Sequence, residues 1–357
     1  MNTTEEKQMK NPLGYKSEKG LLFQFAVPSI IAMLVGSLYN IVDQFFIGHS
    51  VGELGNAATN ISFPLSISCV AISLLFGIGG ASAFNISMGA GEKKKAVYYL
   101  GNSAVMLFSC GIVLCVITLM FLEPLLRFFG SPNNVLDYAK TYTGIIAFGF
   151  PFLILTTGGG HLIRADGRPK VSMICNLTGA IVNTFLDALF VFGLNMGMRG
   201  AALATIIGQV LSAIMVIWCL SHCKTVSVGK EHLRVRKKII SRIISLGTAP
   251  FSNQLAMMVV QIVMNKSLKY YGSISVYGEA VPIACAGIIT KVNQVFMSFV
   301  IGISQGLQPI TSFNYGAKKY KRVKTAYTFA IKCGFALAVV SQGVVQKDCL
   351  PKTAWPP

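Results

Sequence analysis

Charge is what this sequence has least of. Only 12% of its 357 residues are Asp, Glu, Lys or Arg, about half the share usual in a soluble domain. A water-soluble chain so poor in charge would expose large apolar patches. That excludes a soluble enzyme, a nucleic-acid-binding domain and a disordered chain. Acids are the scarcest: 13 Asp and Glu stand against 31 Lys and Arg, a net charge of +18. In a soluble protein this balance would suggest nucleic acid. Here the basic clusters sit between apolar runs and no RNP-like aromatic motif occurs, so no nucleic-acid partner is expected. Catalytic motifs are missing too. The Gly229-Lys230 pair is followed by Glu231 and lacks a Walker pattern, Gly77, Gly79 and Gly80 do not complete GxGxxG, and neither HExxH nor GxSxG occurs. The chain is expected not to be an enzyme and to need no cofactor, so any work it does draws on an ion gradient, a substrate gradient or a partner. No CxxC pair occurs among the nine cysteines; Cys219-x-x-x-Cys223 beside His222 lacks a second ligand pair at metal-finger spacing, so no metal site is expected.

Apolar residues fill the space that charge leaves. They make up 53% of the chain, and the mean hydropathy is +0.60. A membrane helix needs about 20 apolar residues. Nine runs reach that length, near 21–47, 57–87, 97–122, 136–160, 171–194, 200–221, 243–265, 279–310 and 325–345. They lack the period-two alternation of strands. The expectation is an all-α, multi-pass membrane protein whose partner is the lipid bilayer. Residues 1–20 are polar and precede a run too long for a signal-peptide core, so the first helix is expected to stay. Twenty-two of the 31 basic residues fall in residues 1–20 and in alternate loops, against five in the loops of the other side. By the positive-inside rule this puts the N-terminus in the cytoplasm.

The chain also repeats itself. Pro28 and Asp43 recur as Pro250 and Asn265, both at an offset of 222. The turn Met88-Gly-Ala-Gly-Glu-Lys-Lys-Lys recurs as Asn314-Tyr-Gly-Ala-Lys-Lys-Tyr-Lys, with Gly89 to Gly316 at 227. Six runs separate the copies, which makes the repeats parallel. The implied organisation is a cytoplasmic segment 1–20, a six-helix lobe 21–222, a basic linker 223–242, a partial second lobe 243–345 and an atypical, non-helical tail 346–357. Two full six-helix repeats would need a longer chain, so the second is expected to be incomplete. Gln261, Gln305 and Gln308 would then lack partners.

Two acids lie deep in apolar runs, Asp43 in the first and Asp187 in the fifth. A charge in hydrocarbon is costly and faces a polar interior. Both helices run outward from the cytoplasm, and both acids fall in the outer half of the bilayer, where they could share one cavity. Asn40 is three residues before Asp43 and Asn183 four before Asp187, so each is expected on the acid's face. Thr205 lies five turns of helix past Asp187. Such oxygens can hold a proton or a hard cation such as Na⁺. Glu279, at the outer mouth of the eighth run, is a weaker candidate.

These residues carry a resemblance. Val27-Pro-Ser-Ile-Ile-Ala-Met-Leu through Tyr39-Asn-Ile-Val-Asp-Gln-Phe-Phe-Ile-Gly48, the loop Arg164-Ala-Asp-Gly-Arg-Pro-Lys170, and Asn183-Thr-Phe-Leu-Asp-Ala-Leu-Phe-Val-Phe-Gly193 with Met196-Gly-Met-Arg-Gly-Ala-Ala-Leu-Ala-Thr205 resemble the multidrug and toxic compound extrusion (MATE) family. So does Gly302-Ile-Ser-Gln-Gly-Leu-Gln-Pro-Ile310 followed by Asn314-Tyr-Gly-Ala317. The pattern is most similar to the bacterial drug-export and DinF-like branches, shortened at the C-terminus. The resemblance implies two six-helix lobes around a central cavity that opens to alternate sides. It implies a monomeric antiporter of the bacterial plasma membrane that exports small cationic, amphipathic compounds against H⁺ or Na⁺. It carries coupling roles to Asp43, Asn183, Asp187 and Thr205. A full member has twelve helices, so this chain as it stands is expected to be inactive. Two other readings stay open: a flippase for lipid-linked saccharides, whose cavity would hold more cationic groups, and a membrane fragment without transport.

Overall fold

The computed structural model describes residues 11–131, 133–276 and 280–349. All regular structure among them is helical, as the apolar runs require. In hydrocarbon every backbone polar group must be paired within its own segment. The long helices are α1 (Glu18–Val51), α2 (Glu53–Gly89), α3 (Lys93–Met120), α4, α5, α6 (Gly197–Ser221), α7 (Lys237–Ser273), α8 (Ala280–Gly316) and α9 (Tyr320–Cys349). Helix α4 joins Asn133–Ile146 and Phe150–Ala165 through a 3₁₀ turn, Ala147–Gly149. Helix α5 is Pro169–Asp187 and continues as a π-turn, Ala188–Gly193. Pro28 and Pro250 sit inside α1 and α7 at matching positions.

Seven helices, α1 to α7, are long and apolar enough to cross a membrane among the described residues. Nine were expected. Helices α8 and α9 each include residues whose side chains lie outside the described set, around 280–292 and 340–349, so the seven are a count of the described residues and the expected nine stand untested there. Helix α7 starts at Lys237, ahead of the expected 243. Helix α9 runs to Cys349, so residues 346–349 are helical rather than an irregular tail. No proline interrupts that stretch before Pro351.

Helices α1–α6 form one bundle. Within it α2 packs on α3 and α4, and α5 packs on α1 and α6. The second group meets the first through two broad contacts, α7 on α2 and α8 on α1, while α8 also touches α2. Small residues allow the approach. Gly79 lies against the backbone of Ile243 and Gly247, and Gly306 against Phe25 and Ala26. Gln308 Nε2 donates to Ser82 Oγ at 3.0 Å, Gln305 Nε2 reaches Met33 Sδ at 3.7 Å, and Gln261 also makes an interaction. The three glutamines therefore do have partners. Gln305 and Gln308 find theirs on the first lobe, because the face of α8 that carries them packs on α1 and α2.

One end of the molecule carries the basic loops. There the buried Asp166 accepts from Lys224 N at 2.8 Å, from Thr225 N at 2.9 Å and from the Thr225 hydroxyl, and pairs with Arg168 at 2.8 Å. The loop after α4 thus pins the start of the α6–α7 linker.

Candidate functional site

Toward the opposite end α1, α4, α5 and α6 converge on a buried polar cluster. Asp187 ends the α-helical part of α5, about 27 Å along the axis from Pro169. Its side chain is fully buried and Asp43 of α1 is 8% exposed. The two carboxyl groups lie close enough to interact directly. One turn before Asp187, Asn183 Nδ2 donates to Thr205 Oγ1 at 3.3 Å. The Thr205 hydroxyl donates to Ala201 O at 3.0 Å, and Tyr39 of α1 lies beside it. Thr205 thus ties α5 to α6. Tyr142 of α4 is buried beside the same carboxyls. Ser62 and Thr143 bond at 2.6 Å between α2 and α4.

Four oxygens here have no protein partner: Asp43 Oδ1, Asn183 Oδ1, and both Oδ1 and Oδ2 of Asp187. A buried polar atom left unpaired is costly. Two carboxyls in contact repel if both are ionised. A proton between them or a cation among the four oxygens meets both demands. Among the described residues no group of three or more His, Cys, Asp and Glu side chains is arranged to hold a metal ion.

The structure brings Asp43, Asp187, Asn183 and Thr205 together. It does not bring in Asn40, which is exposed and donates back to Gly36 O at 2.8 Å. Helix geometry explains the loss. At 100° per residue Asn40 stands about 60° to one side of Asp43, whereas Tyr39, four residues back, is only about 40° away on the other. Tyr39 takes the position, and the spacing of four was the signal that could have found it. Glu279 lies outside the described residues. A groove of about 250 Å³ runs between α1 and α5 past Val35, Leu38, Tyr39, Val42, Ile181 and Phe185. Its lining is mostly apolar, with Thr184 and Tyr39 as the polar members.

These features define a helical multi-pass transport protein rather than an enzyme. The MatE family profile matches residues 28–189 and again 251–342, two segments in the register of the internal repeat, and the chain belongs to that family. It is 27% identical over 334 residues to the multidrug export protein MepA of Staphylococcus haemolyticus (strain JCSC1435), covering 91% of this chain and 72% of that one. The Staphylococcus aureus (strain NCTC 8325 / PS 47) MepA is 27% identical over 316 residues, 87% of this chain and 68% of that one. Among solved structures, an outward-facing multidrug resistance MATE family transporter of the MOP superfamily superposes with a TM-score of 0.85 at 20% identity, over 98% of this chain and 75% of that one. A MOP superfamily transporter from Pyrococcus furiosus Vc1, described for the reverse polarity of its binding pocket, gives the same score, identity and coverage.

Proposed function

We propose that this chain is an ion-coupled antiporter that exports small cationic, amphipathic compounds across a bacterial plasma membrane. The observation that carries the reading is the contact between Asp43 and Asp187, with its unpaired oxygens. H⁺ or Na⁺ bound there neutralises the pair and lets α1 and α5 draw together. An organic cation competes for the same negative charge. Exchange follows when the two ligands favour opposite states of one protein. The basic end faces the cytoplasm, which puts the N-terminus inside, and α8 and α9 cross the membrane with the other seven. Access alternates between the basic end and the opposite end as the α1–α8 and α2–α7 contacts open and close. The relatives' printed names, multidrug export proteins, favour drugs as cargo. A flippase for anionic lipid-linked saccharides fits less well, because the charges at the cluster are acids.

The test is transport by the 357-residue chain in vesicles. Tetraphenylphosphonium movement is measured against an imposed pH gradient and, separately, a Na⁺ gradient. Movement driven by one gradient and lost in Asp43→Asn supports the reading. Movement that ignores both gradients, or that survives the substitution unchanged, refutes it.

A further inference from the structure

The segments that precede α1 and α7 each cross to the other lobe. Ahead of α1, Asn11 caps a short helix, Pro12–Tyr15. Its carbonyls are gripped from α8 and α9. Asn314 Nδ2 donates to Leu13 O at 2.9 Å, Lys319 Nζ to Gly14 O at 3.2 Å, and Arg322 to Lys16 O. Arg322 also pairs with Glu18 at 3.0 Å and donates to Asn314 Oδ1 at 3.1 Å. Ahead of α7, the linker is gripped from α3. Asn102 Nδ2 donates to His232 O at 3.1 Å and Arg234 O at 3.2 Å, and its Oδ1 accepts from Arg236 N at 2.9 Å. The Arg236 guanidinium lies 3.8 Å over the Tyr98 ring and donates to its hydroxyl. An offset of 222 carries Pro12–Gly14 onto Arg234–Arg236, so the two segments occupy equivalent places.

The fastenings are unequal. The linker is held by a fully buried neutral amide, and the backbone of Gly101 packs directly on His232 O. Asp166 clamps it a second time at Lys224 and Thr225. The N-terminal segment receives one bond from an equally buried amide, Asn314, where the linker exchanges three with Asn102. Its other holds are two long cations, and the Arg322–Glu18 pair is about one-fifth exposed on each side. Ion pairs near water are screened by salt, and long side chains regain entropy on release.

We propose that the two segments are reciprocal straps across the basic end, that residues 11–18 are the strap that lets go when this end opens, and that Arg322 is the positioning residue that holds it. The linker strap stays fastened through the cycle and serves as the pivot. The proposal rests on the alternating-access reading for its purpose, but its test needs no transport.

Hydrogen–deuterium exchange of the unsubstituted chain in lipid nanodiscs reads both straps at once. Raising NaCl from about 0.05 to 1 M shortens the Debye length from over 10 Å to about 3 Å. Exchange in residues 13–18 is expected to rise about tenfold, and that of residues 232–236 to change less than about twofold. Arg322→Gln is expected to exchange fast at both salts, and Arg322→Lys to regain part of the salt-dependent protection. Equal acceleration of both straps, no acceleration of either, or a salt response that persists in Arg322→Gln overturns the proposal. If Arg322→Gln does not fold, the salt series on the unsubstituted chain decides alone. If vesicle transport fails while the straps behave as stated, the antiport reading falls and the strap does not.

Discussion

Gly89 and Gly316 perform the same task on opposite sides of one contact. Gly89, at the end of α2, lies against the carbonyl of Phe313, and Gly316, at the end of α8, lies against the carbonyl of Ile86. Each glycine sits three residues past the carbonyl that receives its counterpart. The offset of 227 that relates the glycines also relates Ile86 to Phe313. The internal repeat is thus present in space as a local two-fold relation between the two helix ends that precede the basic turns.

A methyl group on either glycine would fall inside the radius of the facing carbonyl oxygen. Gly89→Ala and Gly316→Ala are each expected to destabilise the lobe contact by about 1–3 kcal/mol, the usual cost of overpacking. The double variant should cost less than the two added together, because both changes push apart the same pair of helices. Thermal unfolding in detergent checks this. A loss confined to one of the two glycines would contradict the symmetry.

Asp43→Asn and Asp187→Asn are each expected to abolish gradient-driven transport, and the double variant to add little, since residues that act as a unit are not additive. Tyr39→Phe removes a hydroxyl beside Thr205 and leaves the carboxyls in place. Its expected effect is milder, about 0.5–1.5 kcal/mol, or up to about tenfold in ion or cation affinity. Transport rates and concentration dependence in vesicles separate the two classes of variant.

Much of this site could be read from the chain alone. A carboxylate inside an apolar run has few physical excuses, so Asp43 and Asp187 stood out, and Asn183 and Thr205 followed from spacing and resemblance. Tyr39 does not stand out, because tyrosine is ordinary in membrane helices and its neighbours Asp187 and Thr205 are distant in sequence. Asn40 falls off the acid's face because a spacing of three leaves it farther round the helix than a spacing of four leaves Tyr39. The helical runs were legible from hydropathy. The partners of Gln305 and Gln308 were not, since periodicity fixes which residues share a face and not what that face meets.

Asp166 is the next residue to test. Asparagine keeps its shape but loses the charge that strengthens the bonds to Lys224, Thr225 and Arg168. A hydrogen bond to a charged group is worth about 1.5–3 kcal/mol, so Asp166→Asn should free the start of the linker. Trypsin should then cut faster at Lys224 and Lys230, while the helices remain protected.

Glu123, on the short helix Leu122–Phe128 beyond α3, offers a pH test. Its bonds to Lys140 and Arg127 hold its carboxyl below the ordinary carboxylate range. A depressed acid contributes stability above the unfolded value and loses it as pH falls through the folded one. Glu123→Gln should therefore slightly lower the unfolding midpoint at neutral pH and leave it unchanged at strongly acid pH. High salt should shrink the neutral-pH difference, because the pair is exposed.

The π-turn Ala188–Gly193 begins at the residue after Asp187. Such a turn holds one residue more than an α-helical turn, and it can be handed along a helix like a ruck in a carpet. Each residue it passes is rotated by about 100°. Asp187 is the first residue in its path toward the basic end. One step would carry its carboxyl off Asp43 while Asn183, a full turn further on, kept its bond to Thr205. The π-turn thus sets a backbone irregularity directly beside the two acids.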